Sequence, residues 1–175
     1  HYEWDDPCVG YVEAWESGTP ITAKAKPGGD KVVFSTPEDI ESRLIRKIRW
    51  VTLGYLYDWT SKTYDFTRPP PRPFPDDLAA YARFLAAGIG HPDFRAEAGI
   101  INYYQPGDSL TGHVDRSERN MDVPLVSMSL GLSAVFLVGG PDRDQAPVAV
   151  IVRSGDVSML CGESRRAFHG VPRIM

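Results

Sequence analysis

From residue 97 onward the chain runs as apolar segments of four to eight residues, each closed by turn-forming residues: 100–104, 124–130, 134–138, 148–152, 157–160 and 168–171. Segments this short are poor helices but ordinary strands, and Gly, Pro, Asp and Ser mark their ends. Repeated at close spacing, they specify a mostly antiparallel β domain, a sandwich or jelly roll. Two helices are expected ahead of it, packed on one sheet, which makes the class α+β, mostly β. The first opens at Thr36-Pro37-Glu38-Asp39. Thr36 can cap, Pro37 suits the first helical position, and Asp39 completes the capping-box spacing. Ile40, Leu44 and Ile48 then form one apolar stripe. The second helix starts at Asp76 and Asp77, buries Leu78, Tyr81, Leu85 and Ile89, and is stopped by Gly88 and Gly90.

A length of 175 residues suits one domain. Its expected divisions are an irregular arm over 1–35, helices and a lid over 36–96, and the β core over 97–175. The prolines at 69, 70, 71, 73 and 75 make a stiff, polyproline-like loop before the second helix. A net charge of −4 excludes a generally basic nucleic-acid binder, so any phosphate contact must be local. Arg43, Arg46, Lys47 and Arg49 offer one such cluster, although a solvated helix face explains them as well. Cys8 and Cys161 are too few for a disulfide scaffold and point to a reducing, intracellular compartment. No apolar run approaches the ~20 residues of a membrane span, no signal peptide is visible, and neither membrane attachment nor oligomerisation is expected.

Chemistry concentrates at His113-Val114-Asp115. In an extended chain, side chains two apart leave the same face. His113 and Asp115 would then point together, and His169 in Ala167-Phe168-His169-Gly170 is the natural distant partner. Two imidazoles and one carboxylate suit one face of an Fe(II) ion and leave its other positions open. A second triplet, His91-Pro92-Asp93, follows a helix stop and contains a proline, so it is expected to be a loop. Residues 50–59 are aromatic and β-branched and suggest a strand. Trp50, Tyr55, Tyr57 and Trp59 in it are either core packing or a surface on which bases stack.

Several runs together resemble the AlkB family of Fe(II)/2-oxoglutarate dioxygenases. They are Ile101-Asn102-Tyr103-Tyr104, Gly112-His113-Val114-Asp115-Arg116-Ser117-Glu118, Pro124-Leu125-Val126-Ser127-Met128-Ser129-Leu130-Gly131, Ala134-Val135-Phe136-Leu137-Val138-Gly139-Gly140, and Gly162-Glu163-Ser164-Arg165 ahead of His169. They stand in family order across most of the chain and are most similar to the AlkB homologue one branch. The resemblance implies a double-stranded β-helix. It implies Fe(II) on His113, Asp115 and His169 as catalytic ligands, with 2-oxoglutarate as co-substrate and O2 as oxidant. It places Asn102 and Tyr104, with Tyr103 between them, in the co-substrate run; Tyr103 would turn away into packing. It makes Tyr55, Leu56 and Tyr57 lid contacts to a nucleotide, and Trp50, Arg116 and Arg143 further substrate contacts.

The implied reaction hydroxylates an N-methyl group of a base in tRNA, such as N1-methyladenine, or in DNA. Formaldehyde, succinate and CO2 are released. A monomer acting on a single-stranded or flipped base is expected, in the nucleus, mitochondrion or cytoplasm. Two departures qualify this. The family anchors the far carboxylate of 2-oxoglutarate with arginines flanking an Asn on a strand after the last ligand. The residues from His169 to Met175 hold no such motif, so that strand is expected to lie outside these 175 residues. Ser117 stands where some members carry Asp, which weakens the analogy to repair of alkylated DNA. Two other readings stay open: an oxygenase of protein side chains, and a non-catalytic nucleic-acid-binding module of the same fold.

Overall fold

A computed structural model describes residues 3–4, 21–24, 31–34, 49–58, 60–70 and 73–175. In chain order the elements are β1 (Glu3–Trp4), β2 (Ile21–Lys24), β3 (Lys31–Phe34), β4 (Trp50–Gly54), β5 (Tyr57–Asp58), β6 (Thr63–Tyr64), helix α1 (Asp76–Ala87), β7 (Ala98–Asn102), β8 (Leu110–His113), β9 (Leu125–Met128), β10 (Ala134–Val138), β11 (Val148–Val152), β12 (Val157–Leu160), a 3-10 helix (Gly162–Arg166) and β13 (His169–Ile174). Contacts divide the chain into two units, His1–Arg49 and Trp50–Met175. In the first, β1, β2 and β3 form a three-stranded antiparallel sheet within residues expected to be irregular. The expected helix over 36–48, with its cap and basic cluster up to Lys47, lies outside the described residues, as do Cys8, Trp15 and Trp59.

In the second unit the apolar runs become strands, and every strand pair is antiparallel. The pairing is nested: β10 with β11, β9 with β12, β8 with β13. Successive nested pairs fall in different sheets, β11-β10-β13-β8 in one and β12-β9 in another. A long hairpin folded over on itself in this way is a jelly roll. β13 is a central strand that contains Pro172, which cannot donate to a ladder. It is tolerated because the β10–β13 register shifts between Val135 and Leu137, next to it.

Gly54 corrects the expectation of one continuous strand over 50–59. It adopts φ +69, and a Cβ there would lie 2.0 Å from the Glu97 carbonyl oxygen. The chain turns at that point, so β4 pairs with β7 whereas β5 pairs with β6 as a separate hairpin. The second helix forms where its acidic first turn predicts, but its buried stripe differs. Ala82 and Ala86 are buried, Leu78 and Leu85 half-buried, and Tyr81 and Ile89 exposed. Small side chains take the closest approach, Tyr81 is pushed to the rim, and Ile89 lies beyond the last turn. His91-Pro92-Asp93 is a turn, as expected, with the Phe94 amide donating to the His91 carbonyl at 3.2 Å.

Candidate metal centre

His113 ends β8, His169 begins β13, and the two are direct cross-strand partners. Their rings stand side by side with centroids 4.5 Å apart. Between this pair and the next, Leu110 with Val171, β8 places Thr111 and Gly112 opposite Gly170 alone. The extra residue is a bulge, a device that re-aims side chains beside functional sites. It draws the strands close: a Cβ on Gly170 would lie 2.8 Å from the Leu110 carbonyl oxygen. Asp115 lies just past the strand end rather than on it, yet the expected convergence with His113 holds. Its carboxylate oxygens approach His113 Nε2 at 3.5 Å and His169 Nε2 at 3.4 Å.

All three residues offer ligand atoms within 4.8 Å of one another. The other ring nitrogens are occupied. Nδ1 of His113 donates to the Thr111 carbonyl at 2.9 Å, and Nδ1 of His169 to the Ala167 carbonyl at 3.3 Å. A carbonyl only accepts, so each Nδ1 carries its proton and each Nε2 turns a lone pair inward. That tautomer and this outer support are what a divalent ion bound through imidazole requires, so the residues fit such an ion.

Burial alone would push His169 toward the neutral form. The hydrogen bond to Asp115 and its charge outweigh it, and the His169 pKa is raised above 6.5. Burial likewise opposes the Asp115 charge, but His169, His113 and Arg165 overcome it, and its pKa is lowered below 3.8. In the metal-free protein, the His169 contribution to stability is complete below about pH 6.5 and is lost as pH rises through its raised pKa. The Asp115 contribution holds above 3.8 and is lost as pH falls through its lowered pKa. A metal must displace the His169 proton, so acid weakens metal binding from a higher pH than for a free imidazole. Mn(II) titrations are expected to show affinity falling about tenfold per pH unit on the acid side; a flat profile between pH 5 and 8 would contradict this assignment.

The β5–β6 hairpin is attached to the same segment. The Tyr57 hydroxyl lies 3.2 Å from Ser117 Oγ, which donates to the Lys62 carbonyl at 3.0 Å. The Tyr57 and Tyr64 rings meet at 5.1 Å, Tyr55 and Phe66 at 4.9 Å, and the Arg119 guanidinium caps Phe66 at 3.8 Å. Burial, then the charges of Glu118 and Asp115, push the Tyr64 phenol up to about 12. Tyr55 and Tyr57 are therefore half-buried members of an aromatic cluster, while Leu56 is 47% exposed. The sequence does not single out Tyr64, Phe66, Glu118 or Arg119 as site residues. Their only sequence signal is the aromatic density of 55–66 and proximity to Asp115.

A cavity of about 430 Å³ opens beside His169, lined among others by Leu110, Thr111, Leu137, Arg143 and Phe168. Arg143 lies over the Phe168 ring at 5.0 Å and donates to the Gly112 carbonyl at 3.1 Å, which places it on the wall of this cavity. Arg116 is exposed next to Asp115. Trp50 is half-buried and pairs across the sheet with Asn102. β7 ends at Asn102, so Tyr104 does not share a strand with it as expected. Tyr104 is half-buried, and burial raises its pKa. Tyr103 is 44% exposed rather than packed away, because strand alternation no longer applies beyond Asn102.

The profile of the 2OG-Fe(II) oxygenase superfamily matches residues 16–175. The chain is 49% identical over 132 residues to the nucleic acid dioxygenase ALKBH1 of Homo sapiens, covering 75% of this chain and 33% of that protein. It is 41% identical over 140 residues to the tRNA demethylase abh1 of Schizosaccharomyces pombe, covering 79% and 46%. The solved structure of OsALKBH1 superposes with a TM-score of 0.56 at 29% identity, over 72% of this chain and 66% of that one. The chain thus spans about a third to a half of the length of these two curated relatives.

Proposed function

Because the chain belongs to the AlkB family of the 2OG-Fe(II) oxygenase superfamily, we propose that it oxidatively demethylates methylated bases in nucleic acid, with Fe(II), 2-oxoglutarate and O2. The observation that carries this reading is the convergence of His113, Asp115 and His169, with an aromatic hairpin tied to the Asp115 segment through Ser117. The three residues would hold the ion through two Nε2 atoms and a carboxylate. Three protein ligands leave positions for co-substrate and O2. Bound Fe(II) supplies the redox chemistry that couples decarboxylation of 2-oxoglutarate to hydroxylation of the N-methyl group.

Asn102 and Tyr104, an amide and a protonated phenol, serve as donors to carboxylate oxygens of the co-substrate, with Tyr103 in the same run. Tyr55, Leu56 and Tyr57 hold the base by stacking and apolar contact, and Trp50 extends that surface. Arg116 and Arg143 contact substrate phosphate or base. Lys62 and Arg119 are exposed close by and complete a local basic patch on a chain of net charge −4. The preferred substrate is tRNA carrying N1-methyladenine, with methylated DNA as the second.

The test is anaerobic binding of Fe(II) and 2-oxoglutarate to the full-length protein, then admission of O2 with methylated RNA and DNA oligonucleotides. Formaldehyde and succinate in equal amounts on an oligonucleotide are expected. Peptide substrates that gave those products instead would establish the side-chain oxygenase. Oligonucleotide binding without succinate would leave only the binding module.

A further inference from the structure

We infer that Arg165 is a positioning residue that fixes the Asp115 side of the metal centre relative to the His169 side. This rests on the metal centre proposed above. Arg165 is 3% exposed, unusual for a guanidinium, whose burial is costly unless paired. Its Nη1 donates to the main-chain carbonyl of Asp115 at 2.9 Å, and its Nη2 to Glu118 Oε2 at 2.9 Å. Its Nε finds no hydrogen-bond partner among the described residues. A buried charge with one donor unsatisfied is a poor device for stability alone.

Its place in the chain gives it another use. The sheet joins the two ligand segments only as far as the pair His113 and His169, and Asp115 lies beyond the end of β8. Arg165 spans that gap. It sits on the 3-10 helix leading directly into His169. That turn is locked by Ser164, whose hydroxyl accepts from the Cys161 amide at 3.0 Å and donates to the Cys161 carbonyl at 2.8 Å. Ala167, one residue past the helix, supplies the carbonyl that orients the His169 ring. One short segment thus aims one imidazole by its main chain and grips the carboxylate-bearing backbone by a side chain. Two forked donors to two acceptors need the planar guanidinium; an ammonium keeps the charge but not the span.

The experiment is Mn(II) titration of the full-length protein by electron paramagnetic resonance, with thermal melting of each metal-free sample alongside. The variants are Arg165→Lys and, as a surface control, Arg166→Lys, whose exposed side chain pairs with Asp122 at 3.4 Å. Arg165→Lys is expected to weaken Mn(II) binding ten- to a hundredfold and to broaden the signal of the bound ion. Arg166→Lys should match the wild type. A lowered melting temperature with wild-type Mn(II) affinity would make Arg165 merely structural and overturn the inference. Should Arg165→Lys not fold, Glu118→Gln loosens the grip while sparing the ligands. A few-fold loss of affinity supports the inference, and none overturns it. Failure of the wild type to bind Mn(II) would instead overturn the metal centre itself.

Discussion

Asp115→Ala is expected to lose metal binding by more than the tenfold to hundredfold that outer partners command, and turnover with it. The magnitude follows from the geometry. Asp115 is the single carboxylate of the cluster, and each of its oxygens faces a different imidazole. Its removal deletes a ligand and also the hydrogen bond and charge that raise the His169 pKa in the metal-free state. Burial and the Arg165 charge are then opposed only by the hydrogen bond to the Ala167 carbonyl, so the His169 pKa should fall. Histidine resonances followed against pH in the metal-free variant report that fall independently of activity. Retention of Mn(II) affinity within a few-fold, with His169 still titrating high, would mean that the carboxylate is not a ligand.

Gly54→Ala is expected to destabilise the second unit by about 3 kcal/mol or more. Two effects combine. An alanine held at φ +69 carries a left-handed backbone, which costs about 1–2 kcal/mol. Its Cβ would also sit 2.0 Å from the Glu97 carbonyl oxygen, which is backbone and can yield only if β7 leaves β4. That carbonyl accepts from the Tyr55 amide at 3.1 Å, the bond that starts the chain toward the aromatic hairpin. Gly107→Ala separates the terms, because Gly107 has φ +92 but no atom of the described residues within 4 Å of its would-be Cβ. It should cost only about 1–2 kcal/mol, and Gly112→Ala, with open space and no left-handed φ, almost nothing. Urea denaturation of the three variants ranks them. Equal losses in Gly54→Ala and Gly107→Ala would show that the strand gap accommodates the methyl.

The sequence by itself determined the strands and the candidate ligands. Runs at 134–138, 148–152 and 157–160 fold over those same residues, because short apolar, β-branched segments between turns have no other regular structure open to them. His113 and Asp115 were legible because their spacing is local, and His169 because few histidines compete with it. Only the tertiary structure decided what depends on residues far apart in the chain. Gly54 is one glycine among sixteen until Glu97 lies against it, and that contact cuts an expected strand in two and frees the aromatic hairpin. The end of β7 at Asn102, which removes the expected strand relation of Tyr104, is set by pairing with β4 and not by any local breaker. The opposition of His113 and His169 comes from strand register, and their close approach from a bulge against Gly170. Arg165, in sequence another charged residue of a polar turn, acquires its meaning from a carbonyl and a carboxylate about fifty residues earlier. A side chain's type is written locally, but what it touches is fixed by the register of strands that meet only in the fold.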